Sequence, residues 1–423
     1  MEIDYFLVLG GIFFVFALLS RRIEGYPLTA PMLFTGAGLA IAYFLQDMGV
    51  TEPPISEMAL HTVAELTLVL ILAADASRIS APSLLRFRSI PMRLLIIALP
   101  LTIALGALAG MLILPDMLWV EAALIAAILA PTDAALGASV LSEKSIPLRV
   151  RQSLNVESGL NDGISLPAVL FFACFLNMAH QNGEVNWLIF LALQLSLGPL
   201  MGALVGWIGG QLIGIAAGRN WITPTYQGVA AMALALVAFA AAEEVGGNGL
   251  IAAFVCGLIY GNLRVEYSHF LHEFTETESE VLSQLTFLLF GLAILPQALE
   301  AMTIEILLFG LASLTVVRML PVAIAMTGLK LHVPTVGFLG WFGPRGLASL
   351  LFALLVLEDL NIETAETIKT IVAITVLMSI LLHGLTAGVL SRAYGKWATT
   401  GTGRDCPENQ EPEVAAVMQG SAT

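Results

Sequence analysis

The chain has 423 residues, 58% of them hydrophobic and 12% charged, with a mean hydropathy of +0.88 and a formal net charge of −14. Soluble domains carry about a quarter charged residues, so this composition excludes a soluble enzyme and a disordered chain. The acidic balance also argues against a nucleic-acid partner. What remains is an all-α polytopic membrane protein.

One span needs roughly 20 apolar residues. In chain order, thirteen hydrophobic segments are expected at 4–20, 27–46, 57–77, 94–114, 118–141, 154–178, 187–216, 225–242, 248–261, 281–299, 304–327, 335–356 and 369–391. The seventh is long enough to be tilted or kinked, and the ninth is short and glycine-rich. The start, Met1-Glu2-Ile3-Asp4, is acidic where a signal peptide is basic. Residues 1–395 read as one transmembrane domain and 396–423 as a short disordered tail. Cys174, Cys256 and Cys406 have no metal-site or disulfide spacing.

Basic loop residues test the count. Arg21 and Arg22, the Arg78–Arg93 group, Lys144 with Arg149 and Arg151, Arg219, Arg264, Lys330 and Arg392 all follow odd-numbered segments. Lys369 is the exception. The expected topology has the N-terminus outside and the C-terminus in the cytoplasm.

Seven charged residues fall inside the expected spans: Glu65, Asp75, Asp133, Glu157, Asp162, Arg318 and Arg345. Each costs at least ~2.5 kcal/mol at mid-bilayer unless it is paired or hydrated. Two arginines neutralise two carboxylates, so three acids must be protonated, hydrated or bound to a cation. A purely structural salt-bridge network would balance.

Segment five carries Ala130-Pro131-Thr132-Asp133. A proline at mid-span removes a backbone hydrogen bond and releases the carbonyl four residues back, here Ala127. Broken helices at membrane depth place free carbonyls and half-helix dipoles at transporter ion sites. The competing reading is a plain kink with Asp133 paired to an arginine. In segment six, Glu157-Ser158-Gly159-Leu160-Asn161-Asp162 puts Ser158 and Asp162 one turn apart on one face. That oxygen pair suits a hard cation. Glu157, about 140° around the helix, points toward another span where an arginine can hold it. The alternative is an acidic first helical turn.

Segment twelve carries Gly343-Pro344-Arg345-Gly346, which reads as a second broken helix. Arg345 and Arg318 are available to offset the acids or to pair with one each. Asp75, at the end of segment three, can reach a water-filled funnel or simply sit at the interface. His383, alone in segment thirteen, reads as a satisfied core histidine.

Ala-Pro-Thr-Asp at 130–133, Glu-Ser-x-x-Asn-Asp at 157–162 and Gly-x-Arg-Gly at 343–346 together resemble the cation:proton antiporter-1 family, of the prokaryotic NhaP type. The stretches 242–246 and 252–258 also look like family sequence. The resemblance spans nearly all of 1–395. It implies an inverted-repeat antiporter fold with two broken, crossing helices, matching segments five and twelve. It also implies a homodimer in the lipid of the prokaryotic inner membrane, with a role in pH homeostasis.

By that resemblance the cation and proton ligands are Thr132, Asp133, Ser158 and Asp162, joined by Asp75. Asn161 and Pro131 support the broken helix, Glu157 pairs with Arg318, and Arg345 completes the supporting set. The Asn-Asp pair implies electroneutral exchange of H+ for Na+, with K+ or Li+ as alternatives, and no cofactor. Ala134 and Pro344 depart from the family's usual proline and aliphatic residue, and Asp75 stands for a glutamate. A cation channel and an intramembrane aspartyl enzyme using Asp133 and Asp162 are the readings from other classes. Proton counterflow separates the first from an antiporter, and peptide cleavage would reveal the second.

Overall fold

The computed structural model describes residues 5–23, 26–49, 57–77, 89–115, 117–133, 136–137, 140, 143–180, 187–263, 268–358 and 364–400. Among them the regular structure is helical, without strands. The first four helices are α1 (Tyr5–Ile23), α2 (Ala30–Asp47), α3 (Glu57–Ser77) and α4 (Ser89–Ile113, with a π turn at Leu94–Ala98). Helix α5 (Trp119–Ile128) is short, and α6 (Leu148–His180) and α7 (Trp187–Gly218) are long. Then come α8 (Pro224–Glu244), α9 (Gly249–Leu263) and α10 (268–300, with a π turn at Phe290–Ile294). The last five are α11 (Ile304–Leu314), α12 (Val316–Ala325), α13 (Val333–Trp341), α14 (Leu347–Glu358) and α15 (Ala365–Thr399).

Among the described residues, eight helical stretches are long and apolar enough to cross a membrane, and α5 and α9 are shorter apolar helices. The chain is an integral membrane protein. The two expected breaks are present. Segment twelve is split into α13 and α14 by residues 342–346. Segment five stops being helical after Ile128, three residues before Pro131. Beyond Asp133, the described residues of this segment are Leu136, Gly137 and Val140.

Lipid is as apolar as a leucine surface, so helices in it associate through close packing at small residues. Helix α7 shows this at Gly198, Gly202 and Gly206. A Cβ at each would meet the backbone of Asn248, Ala252 and Cys256, one turn apart on or beside α9. Helix α9 in turn presses Gly257 and Gly261 onto the backbone of Ala73 and Ser77 in α3. The glycines of the ninth segment therefore fix α3 on both sides of Asp75. Gly38 and Gly291 make the same kind of contact between α2 and the π turn of α10.

Two ends differ from expectation. Glu121, at the outer edge of segment five, is only 2% exposed. Its carboxylate accepts the Leu118 amide at 2.8 Å and the Thr364 hydroxyl at 2.5 Å, which satisfies the start of α5. Helix α15 runs on to Thr399, through residues expected in the tail. Aromatic packing holds its last turns. Tyr394 stacks on Phe338 and on Trp397, and Trp397 meets His332. The rest of the expected tail, from 401, lies outside the described residues.

Candidate functional site

The two breaks meet. After Ile128 the chain tightens, and the Ala127 carbonyl accepts the Ala130 amide at 3.3 Å. The carbonyl expected to be released by Pro131 is thus already taken. The exposed ones are those of Ala130 and Pro131. Both accept from Arg345 Nη1, at 2.6 and 3.3 Å. In return, the Asp133 amide donates to the Pro344 carbonyl at 2.8 Å, and Asp133 Oδ2 accepts the Leu347 amide at 2.7 Å.

This exchange follows helix electrostatics. Helix α5 ends in partial negative charge and α14 begins in partial positive charge. The fully buried Arg345 guanidinium serves the first, and the Asp133 carboxylate serves the second. Arg345 therefore engages backbone carbonyls, where the sequence reading had it offsetting or pairing with acids. Two carbonyls at mid-membrane have no water to turn to, so they hold the cation.

The glycines of 343–346 have a direct cause. A Cβ on Gly346 would meet the Asp133 carboxylate, and one on Gly343 would meet the Arg318 guanidinium. Arg318 Nη1 lies 2.6 Å from Glu157 Oε1, with both side chains almost wholly buried. That ion pair ties α12 to α6.

Next to it, α6 turns a polar face toward the break. Asn161 Nδ2 donates to Thr132 Oγ1 at 2.6 Å, and Thr132 Oγ1 lies 3.0 Å from Ser158 Oγ. Asp162, one turn beyond Ser158, is 7% exposed. Its Oδ1, and Oδ1 of Asn161, are buried with no hydrogen-bond partner among the described residues. Asp75 and Asp133 are near enough to Asp162 to interact with it electrostatically. The expected residues are thus brought together in one region by α3, α6 and the two breaks. No group of three or more His, Cys, Asp or Glu suited to a metal is present among the described residues. The oxygens gathered here are carboxylates, hydroxyls and one amide, a hard-cation set.

The profile described as "Sodium/hydrogen exchanger, transmembrane" matches residues 9–393. The chain belongs to this exchanger family. Among related exchangers, the K(+)/H(+) antiporter NhaP2 of Shewanella oneidensis is 24% identical over 279 residues, 66% of this chain and 48% of that protein. The K(+)/H(+) antiporter NhaP of Alkalimonas amylolytica is 24% identical over 82% of this chain and 59% of its own length. The Na(+)/H(+) antiporter of Schizosaccharomyces pombe is 25% identical over 65% of each. The chain therefore spans about half the length of the first of these relatives. The sodium proton antiporter MjNhaP1 of Methanocaldococcus jannaschii shares its fold, with a TM-score of 0.72 at 22% identity over 93% of this chain and all of that one.

Two polar residues that bond to the second break were not singled out from sequence as site residues. Ser379 and His383 on α15 both bond to the break in segment twelve. The readable signal was their spacing of four, which puts them on one helix face inside an apolar span.

Proposed function

We propose that this chain exchanges a monovalent cation for H+ across the membrane, with Asp162 as the residue that binds one or the other. The observation that carries this reading is a buried carboxylate oxygen on a membrane helix, without a protein donor, beside two further carboxylates. Such a group is tolerated at membrane depth only with a proton or a cation on it. Asp162 holds either ligand and never both, and that competition couples the two fluxes.

In this reading Thr132, Ser158, Asp133 and Asp75 supply the other oxygens. Asn161 and Pro131 keep Thr132 in place, and Arg345 and the Glu157–Arg318 pair hold the frame. Asp133 meets two demands at once, because Oδ2 also caps α14. The names of the relatives, K(+)/H(+) and Na(+)/H(+) antiporters, support the exchange. The cargo is Na+ first, with K+ and Li+ as candidates. Exchange is one for one and electroneutral, by alternating access. It runs in a homodimer of the prokaryotic inner membrane, N-terminus outside.

The test is proton flux in proteoliposomes on addition of Na+, K+ or Li+ separately, across pH. Saturable proton counterflow is expected, reduced to background by Asp162→Asn and by Asp162→Ala. Cation-driven exchange that persists in Asp162→Asn overturns the assignment. Cation flux without proton counterflow replaces antiport with a channel.

A further inference from the structure

A helix broken inside the membrane must find partners for every polar backbone group it frees. Asp133 meets two of these needs at the break between α13 and α14, through the Pro344 carbonyl and the Leu347 amide. Others are met from a different direction. The Arg345 amide donates to Ser379 Oγ at 2.7 Å. His383 Nε2 lies 2.9 Å from the Trp341 carbonyl, and its Nδ1 lies 3.1 Å from Ser379 Oγ. Both residues sit on α15 and are buried, His383 one turn after Ser379.

The partners dictate the hydrogens. A carbonyl only accepts, so Nε2 must carry a hydrogen for the Trp341 contact to be a bond. In the neutral ring Nδ1 is then an acceptor and takes the Ser379 hydroxyl hydrogen. That leaves the Ser379 oxygen to accept from Arg345. Nδ1 also lies 3.0 Å from the Ser379 carbonyl, a close approach that involves no bond in this tautomer. The result is one directed chain, from the Arg345 amide through Ser379 and His383 to the Trp341 carbonyl. Its two ends fall on the two sides of Phe342, Gly343 and Pro344. The Trp341 indole adds a further tie to α15, donating to Thr386 Oγ1 at 3.0 Å.

We propose that Ser379 and His383 are positioning residues of the exchange site, acting as a bracket that fixes the distance across the broken helix. The reason lies in Arg345. Its guanidinium holds the Ala130 and Pro131 carbonyls, next to Thr132 and Asp133, while its amide is held by Ser379. The bracket thus sets where the arginine stands, and the arginine sets where the ligands of the other break stand. Neither Ser379 nor His383 touches the cation.

The proposal rests on the exchange reading for its transport consequence but not for its structural one, so two measurements are needed on the full-length protein. The first is hydrogen exchange of the peptide covering 342–349 in detergent. A buried amide stripped of its acceptor loses about tenfold in protection. Ser379→Ala should show this directly, His383→Ala should lower protection by loosening the Ser379 hydroxyl, and the double variant should show no more than Ser379→Ala. The second is cation-driven proton flux in proteoliposomes. The alanine variants should raise the cation KM roughly three- to tenfold while turnover at saturation stays within about twofold. Ser379→Thr should restore both readouts. If His383→Ala does not fold, His383→Phe cuts the same chain, because its ring fills the space with neither donor nor acceptor.

Unchanged exchange in the 342–349 peptide, or effects of the two alanines that multiply in the double variant, overturn the bracket. An unchanged KM with altered exchange overturns its role in transport. If the wild-type protein moves no cation, the exchange reading fails, and the hydrogen-exchange result still decides the bracket.

Discussion

At the scale of single residues, the site is a set of unlike solutions to one problem: charge without water. Glu157 and Arg318 solve it by pairing. Removing one member leaves a buried charge alone, which costs about 3–5 kcal/mol, whereas replacing both with apolar groups costs far less. Arg318→Leu should therefore lower the unfolding temperature in detergent more than the Glu157→Leu/Arg318→Leu double variant does. Equal or greater loss in the double variant would show that the pair contributes net stability. Gly346 solves it by having no side chain. In Gly346→Ala the new methyl meets the Asp133 carboxylate and pushes it from the Leu347 amide. Overpacking of this kind costs typically 1–3 kcal/mol. The expected readout is a several-fold rise in cation KM in the vesicle assay. The acids inside the spans were legible because charge there has few explanations, whereas the pairing of Glu157 with Arg318 was legible only through the family resemblance, since the residues alone left Arg318 and Arg345 open. The partners of Arg345 were not legible. A carbonyl carries no sequence signal, and a chain search for counter-charges cannot see one.

At the scale of elements, the broken helices were readable from Pro131 and from Pro344 with its flanking glycines, but their ends were not. Pro131 predicts the loss of one bond, yet α5 stops three residues earlier because the tightened turn at Ala127–Ala130 satisfies the freed carbonyl first. The role of the ninth segment was also hidden. Its Gly257 and Gly261 press on α3, while on the other side the close approach is made by Gly198, Gly202 and Gly206 of α7. Gly202 is the central tooth of that contact. Gly202→Leu would drive a branched side chain into the backbone of Ala252, and the overpacking should cost about 1–3 kcal/mol. A lower melting temperature is expected. Because α9 also braces α3 around Asp75, a rise in cation KM should accompany it. A variant that melts normally would show that α7 and α9 are not held by close backbone approach.

At the scale of the whole molecule, the charge of −14 is mostly a map of sidedness. The expected outer loops hold sixteen acids against Lys369 alone, and the spans keep five acids against two arginines. A fluorescent protein fused after the C-terminus should therefore fold and fluoresce in the cytoplasm, and alkaline phosphatase fused there should be inactive. The reverse pattern would invert the topology. The long helical stretches and the family character were legible at this scale, because hydropathy and motif order survive at low identity. The reach of α15 was not, since Tyr394 and Trp397 earn their places only when α13 is folded beside them.

That reach has a practical side. Helix α15 leaves the apolar spans without interruption and stays braced to Thr399, with Gly395 pressed against Ser145 and Trp397 against His332. The described residues are mainly membrane-crossing helices, which offer few landmarks for aligning images in electron microscopy. A soluble helical protein grafted in phase onto Thr399 would inherit this bracing and project as a rigid fiducial, giving each particle a visible direction without touching the exchange site.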